Sequence, residues 1–393
     1  MKLSLLAGAA MALALAAPAH AAWDDWSLSP LTGSFGDLNY NVGGQVYGGV
    51  FDADQPGHFS KLGGTGAAQL NASLERDYDS GLSIALKGQF EVFHDRLSSD
   101  NYGGDLVAKT YASVQTGLGR IDVGMTDGAA FALAVTGPSV DSIDTIDNPN
   151  ATFFRNPSTG RAFINVFTLN SAVESSLNYA KLSYYTPRLF GVQIAVSFTP
   201  SEGKDVVPFL NNGPNVANRQ KSMWEGAVNY SDSFGPVTLS AYAGVTVAHG
   251  DRKTPGHAGL TDWGVGTQAD WDIDDDTKLS IGGAFREANT YTFNINDALR
   301  AGATQGLHLS TVVTRGSWSL GGEFGNAGAD GSLGMPTIGL HAYLVDAAYA
   351  VNSNLQLSGG WQKLDYAKSS GTFYNGAPRI GMDAVFLHAT LNI

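Results

Sequence analysis

From Leu82 the chain alternates. Leu82, Ile84, Leu86, Gly88, Phe90 and Val92 hold one parity, and Ser83, Ala85, Lys87, Gln89 and Glu91 hold the other. Successive side chains of a strand point to opposite faces, so this stretch is a strand with one apolar and one polar face. The same alternation recurs at 237–242, 279–282 and 318–321. It recurs again where Trp263, Val265, Thr267, Ala269 and Trp271 interleave with Gly264, Gly266, Gln268 and Asp270. About sixteen such strands are predicted, at 37–52, 67–79, 82–94, 105–116, 120–127, 177–186, 190–199, 223–232, 236–248, 260–272, 277–288, 303–314, 317–325, 337–351, 354–367 and 379–393. Many exceed the usual 5–6 residues. Long strands with a two-residue period are the pattern of a wall that crosses a membrane.

The links between strands point the same way. Those at 79–81, 117–119, 231–235, 316 and 352–354 are tight, whereas the intervening ones are long and rich in Gly, Asn, Pro and Asp. Short turns at one end and long loops at the other describe a transmembrane barrel, with both termini on the short-turn side. In hydrocarbon every backbone N–H and C=O needs a partner, so the first and last strands must pair. The expected fold is all-β: a closed antiparallel transmembrane β-barrel. At about sixteen strands, side chains no longer fill the interior and water does.

Composition narrows the alternatives. With 49 glycines in 393 residues, a helical protein is disfavoured, because each glycine inside a helix costs about 1 kcal/mol. Aromatic residues at 10% argue against disorder. A net charge of −13 argues against a nucleic-acid partner. Lys2, the apolar run 3–17 and Pro18-Ala19-His20-Ala21 read as a signal peptide over 1–21, followed by a lead-in over 22–36 and a single barrel over 37–393. Beyond that leader no apolar run approaches the length of a membrane helix. The absence of cysteine is compatible with export without disulfides.

One link stands apart. Residues 128–176 hold no convincing strand, yet include Phe131, Phe153, Phe154, Phe163, Ile164, Val166 and Phe167. A loop that long is usually functional or disordered, and this one is too apolar to stay solvated. It is expected to fold into the barrel as the third long loop and to narrow the lumen, with Asp141, Asp144 and Asp147 at the constriction. Lys87, Glu91, Lys109, Lys181, Asp270, Arg286 and Glu323 fall on polar parities and are candidates for the pore wall, while Arg155 and Arg161 are candidates for bracing the loop.

Together these residues resemble the general porins of Gram-negative bacteria, in particular the sixteen-stranded proteobacterial branch. The likeness rests on the leader followed by Asn39-Tyr40-Asn41-Val42-Gly43-Gly44, and on Gly119-Arg120-Ile121-Asp122-Val123-Gly124 before the longest loop. It rests also on the run from Asn178 to Pro187 with the tight turn to Phe190-Gly191-Val192, and on a strand reaching the last residue. The resemblance implies a homotrimer in outer-membrane lipid, each subunit with its own pore, and an acidic inward loop facing basic wall residues. Two positions depart from it. Met125 stands where the family often has a pore-facing Arg, and Ile393 where it usually ends in Phe. Ile121, Val123 and Met125 look apolar, which leaves their face open between a neighbouring subunit and the packed loop.

Other chemistry is weakly signalled. Gly264-Val265-Gly266-Thr267-Gln268-Ala269 imitates a dinucleotide fingerprint but lies within a strand, so lumen-facing glycine is the better account. Asp272, Asp274, Asp275 and Asp276 lack the glycine and glutamate of a calcium loop, and His249, Asp251 and His257 fit no standard metal spacing. No cofactor or metal is expected. The functional expectation is passive diffusion of small hydrophilic solutes and ions with weak cation preference. The alternatives are a barrel enzyme such as a lipid hydrolase, for which no nucleophile motif occurs, and a structural or receptor barrel on the surface.

Overall fold

The computed structural model describes residues 28–56, 61–93, 107–140, 145–146, 153–154, 169, 171–201, 220–249, 259–289, 301–331, 337–373 and 376–393. The expected leader, 1–21, lies outside them. The described strands are β1 (Leu31–Phe35), β2 (Leu38–Asp54), β3 (Leu62–Asp77), β4 (Ser83–Phe93), β5 (Val107–Thr116), β6 (Gly119–Met125), β7 (Ala180–Tyr185), β8 (Val192–Ser201) and β9 (Lys221–Phe234). They continue as β10 (Val237–His249), β11 (Leu260–Asp272), β12 (Thr277–Ala288), β13 (Ala301–Arg315), β14 (Trp318–Gly331), β15 (Ile338–Ala350), β16 (Leu355–Lys368) and β17 (Arg379–Asn392). A single helical turn, α1 (Ala129–Ala132), follows β6.

Each strand from β2 to β17 pairs antiparallel with the next, and β17 pairs back onto β2 from Asp383↔Asp54 to Asn392↔Gln45. Sixteen strands therefore close the barrel and leave no edge exposed to lipid, as the chemistry of hydrocarbon requires.

The two faces separate by chemistry. Leu86, Val123, Leu182, Ile194, Ile281 and Val345 are exposed on the outside, while Ser183, Ser197, Thr246, Asp262 and His308 are buried on the inside. An Arg or Lys on the lipid face at mid-membrane costs about 2–4 kcal/mol. A slip of one residue would turn every inward polar group outward, which pins the register. Ile121 and Val123 belong to the outer parity, and Arg120 and Asp122 to the inner one, where their side chains pair at 3.1 Å. The tight turns rely on glycine: Gly235 and Gly316 sit at φ +64° and +56°, a region that residues with a Cβ rarely occupy.

β1 lies ahead of the first predicted strand, 37–52. It forms a hairpin on β2, with Leu31↔Val42 through Phe35↔Leu38. β17 ends against Gly44, whose N–H donates to the Ile393 carbonyl at 2.9 Å, so β1 takes over the edge of β2 where β17 stops. Asn354, in the turn between β15 and β16, joins the segment before β1 to the end of β17. It accepts the Leu28 N–H at 2.8 Å and donates to the carbonyls of Leu28 and Asn392 at 2.6 and 2.7 Å. Part of the expected lead-in is thus a seal over the barrel seam.

Candidate functional site

The inner face is divided into two walls. Along one, the strand registers line up a row of polar residues at a single level across seven strands. Ser113, Asp122, Ser183, Ser197, Glu225, Thr246 and Asp262 are cross-strand neighbours in succession from β5 to β11. All seven are buried. Leaving a buried carboxylate without partners costs several kcal/mol, so each must be satisfied. The Ser197 and Thr246 hydroxyls donate to Glu225 at 2.7 and 3.2 Å, and Arg286 donates twice to Asp262 at 2.9 and 2.8 Å.

This row holds the roots of the long link between β6 and β7. The Ala129 N–H at the start of α1 donates to Ser197 Oγ at 3.0 Å, and the Ser175 hydroxyl donates to Asp262. Glu174 lies 3.7 Å from Arg286. The Lys181 ammonium donates to the carbonyls of Thr126 at 2.6 Å, Ser176 at 3.3 Å and Leu177, which ties both ends of the link together.

Further along, the described residues of the link pack on the inward parity of β9 to β17 and on Phe51 near the end of β2. Asn229 donates to the Leu133 carbonyl at 3.0 Å, and Gln356 to the Val140 carbonyl at 3.1 Å. The Ile146 N–H donates to Glu323 Oε2 at 3.0 Å, which His308 Nε2 also meets at 3.0 Å. Phe153 lies against Phe51 and Phe386, with ring centroids 4.5 and 5.5 Å away. Glycine makes this contact possible. A Cβ at Gly264 would meet Val173 at 3.1 Å, one at Gly325 would meet Leu169 at 2.7 Å, and one at Gly266 would collide with the Val135 carbonyl. The glycine-rich run in β11 is therefore a bed for backbone, and a dinucleotide has no part in it.

The second wall, β3 to β5 with the first part of β2, is open. A recess of about 300 Å³ is lined there by Asn41, Asn71, Lys87, Gln89, Lys109, Tyr111 and Asp127. Lys109 pairs with Asp127 at 2.7 Å, while Lys87 has no polar side-chain partner among the described residues.

The sequence-derived candidates divide along the same line. Lys87 and Lys109 lie on the open wall. Glu91 is in β4, but its side chain is outside the described residues, as are Asp141, Asp144, Asp147, Arg155 and Arg161. Asp270 is on the inner face near the short turns, where Ser280 donates to it at 2.5 Å and Lys278 stands 3.6 Å away. Lys181, Arg286 and Glu323 lie on the inward parity, where described residues of the link or its anchors bond to them. Ser197, Glu225, Asp262 and His308 were not foreseen. Their parity was readable, but a common level across seven strands needs the register.

A protein-family model described as Gram-negative porin matches residues 7–331. The chain belongs to the Gram-negative porin family. This porin is an outer-membrane barrel that crosses the membrane many times, a channel rather than an enzyme. Solved structures agree on the fold. The loop L8 deletion mutant of OmpT, an outer membrane protein of Vibrio cholerae, is similar at TM-score 0.57 and 10% identity, over 91% of this chain and 100% of that one. An anion-selective porin from Comamonas acidovorans is similar at 0.55 and 13%, again over 91% and 100%. A porin structure refined at 1.8 Å is similar at 0.52 and 15%, over 90% and 100%. No curated protein sequence matches the porin.

Proposed function

We propose that the chain forms a water-filled pore for passive diffusion of small hydrophilic solutes and ions, narrowed by the link 128–176. The observation that carries this reading is the division of the interior, in which the described residues of the link pack on β9 to β17 and on Phe51 near the end of β2, while a polar recess lined from β2 to β5 stays open. Charge then acts as a filter at the narrow point. On the open wall Lys109 is neutralised by Asp127, which leaves Lys87 as the uncompensated cation there among the described residues. Against it the link carries Asp141, Asp144 and Asp147. Three carboxylates outweigh one ammonium, which supports weak cation preference. Anion preference is the second reading, favoured by the two lysines on the open wall and by the fold likeness to the Comamonas acidovorans anion-selective porin. The zero-current potential across a bilayer with a tenfold KCl gradient decides between them. A cation-signed potential that falls when the three aspartates become Asn supports the first reading, and an anion-signed potential overturns it.

The pore is proposed to assemble as a homotrimer through the outer face of β2 to β6. Outward positions there include Gly64, Gly66, Ala68, Gly88, Ala108 and Ala112, whereas Trp224, Trp263, Trp271 and Trp318 mark the outer face of later strands. Aromatic residues anchor a wall in the headgroup zone, and small ones allow two walls to approach. A trimer form of the Vibrio cholerae OmpT protein, similar at TM-score 0.53 and 10% identity, lends support. Unheated gel electrophoresis should show a species near three times the chain mass that collapses on boiling, and a single-chain mass in mild detergent would exclude the trimer.

A further inference from the structure

We infer that the open wall binds neutral, hydroxyl-rich solutes, a sugar or polyol, at two adjacent rungs of β2 to β5. The inference rests on the pore reading and adds the class of solute.

One rung aligns Asn41, Ser73, Lys87 and Tyr111, and the next aligns Gly43, Asn71, Gln89 and Lys109, each residue opposite the following one across the strands. Strands lie about 4.8 Å apart, so the rungs present a grid of polar groups at regular intervals. Asn41 and Asn71 are exposed to the lumen, and Lys87, Gln89, Lys109 and Tyr111 are half-buried. Gly43 adds no side chain to the grid, because a Cβ there would meet the Ile393 carbonyl at 2.6 Å.

The chemistry of the grid favours hydroxyl over anion. Each carboxamide brings two donors and an acceptor on one group, and the Tyr111 phenol brings one of each. A hydroxyl donates and accepts at once, so it satisfies both halves of an amide. An anion accepts only, and a site built for it gathers donors. Here the Lys109 ammonium is already engaged by Asp127, which removes its free charge from the grid. Lys87 supplies donors, and the amide oxygens supply the acceptors that a carboxylate ligand would leave unused. Hydrogen-bonding groups on a pore lining set what passes as surely as its width does.

The test is block of ionic current through the full-length protein in a planar bilayer. Sucrose is added on one side and compared with polyethylene glycol of matched size at matched bulk conductivity, and with citrate. Saturable block by sucrose, absent with the polymer, supports the inference. Changing Asn71→Ala and Gln89→Ala together should then raise the half-blocking sucrose concentration roughly tenfold, as expected for two lost hydrogen bonds. Where the double variant does not fold, Gln89→Ala alone serves, with about a threefold change. Sucrose that acts no more strongly than the polymer overturns the inference and leaves the pore reading intact. So does saturable block by citrate without block by sucrose. A chain that inserts but carries no current overturns both.

Discussion

The two inner walls start from the same local rule and end with different roles. Both are strands with polar inward parities, and both include charged residues. On β9 to β17 the inward positions are punctuated by Gly264, Gly266, Gly282, Gly321 and Gly325, and residues of the β6–β7 link fill the space these glycines leave. On β2 to β5 the inward positions around Asn41, Asn71, Lys87, Gln89, Lys109 and Tyr111 are polar, and a recess remains. Polar side chains on the first wall are buried, and several of them anchor the link. On the second they face water. The same residue type, lysine, shows the contrast: Lys181 is buried among carbonyls, whereas Lys87 has no polar side-chain partner among the described residues.

The largest expected effect comes from refilling the glycine bed. Gly266→Val places atoms where the Val135 carbonyl lies, and overpacking of this kind costs about 1–3 kcal/mol or more. The barrel ladder is untouched, so the link should yield first. Single-channel conductance should change markedly and become noisy, while heat-modifiable migration on gels persists. An unchanged conductance would mean that the link does not bear on the current path.

Next is the anchor row. Asp262→Ala strands Arg286 without its buried partner, a loss in the range of about 3–5 kcal/mol when one member of such a pair is removed. Part of that cost falls on the link, because Ser175 and Glu174 share the cluster. Protease cleavage near 171–176 should become faster than in the parent. Equal cleavage rates would show that the row holds the barrel and not the link.

A smaller effect is expected on the open wall. Lys87→Glu replaces the free cation with an anion and should move the zero-current potential toward cations, more at low salt than at high, since screening lengths shrink from about 30 Å at 0.01 M to about 3 Å at 1 M. The fold should be unaffected. A stability loss as large as that of Asp262→Ala would erase the distinction between the walls.

The smallest effect lies outside both walls. Asp274, in the exposed turn between β11 and β12, accepts the Asp276 N–H at 3.0 Å, and this bond holds its carboxyl below the ordinary range. A depressed folded value means that the contribution is present above the unfolded value and fades as pH falls through the folded one. NMR titration of the Asp274 carboxyl should place its midpoint below that of an unstructured aspartate. A midpoint at or above the unstructured value would remove the turn bond from solution.

Much of the barrel was legible in the residues. Alternation locates strands because a strand's side chains alternate whatever it pairs with, and β11 and β12 were placed at 260–272 and 277–288, where the structure has them. β1 lay outside the predicted strands because Leu31-Thr32-Gly33-Ser34-Phe35 is only five residues long and exposed throughout, held by its hairpin to β2. Lys87 and Lys109 could be placed on the inner face from parity alone. Parity could not distinguish them from Lys181, Arg286 and Glu323, which share it.

What the sequence by itself determined is periodicity and its consequences: sixteen membrane-crossing strands, their inward and outward faces, short turns at one end and long loops at the other, and the need to close. These follow from interactions within a few residues and from the solvent each face must meet. What only the tertiary structure decided is which inward positions stay wet. That depends on the path of a link between β6 and β7 across strands more than a hundred residues away, and on the register that sets Ser197, Glu225 and Asp262 at one level. No local pattern encodes such a path, because each contact joins residues whose own neighbours are indifferent to it.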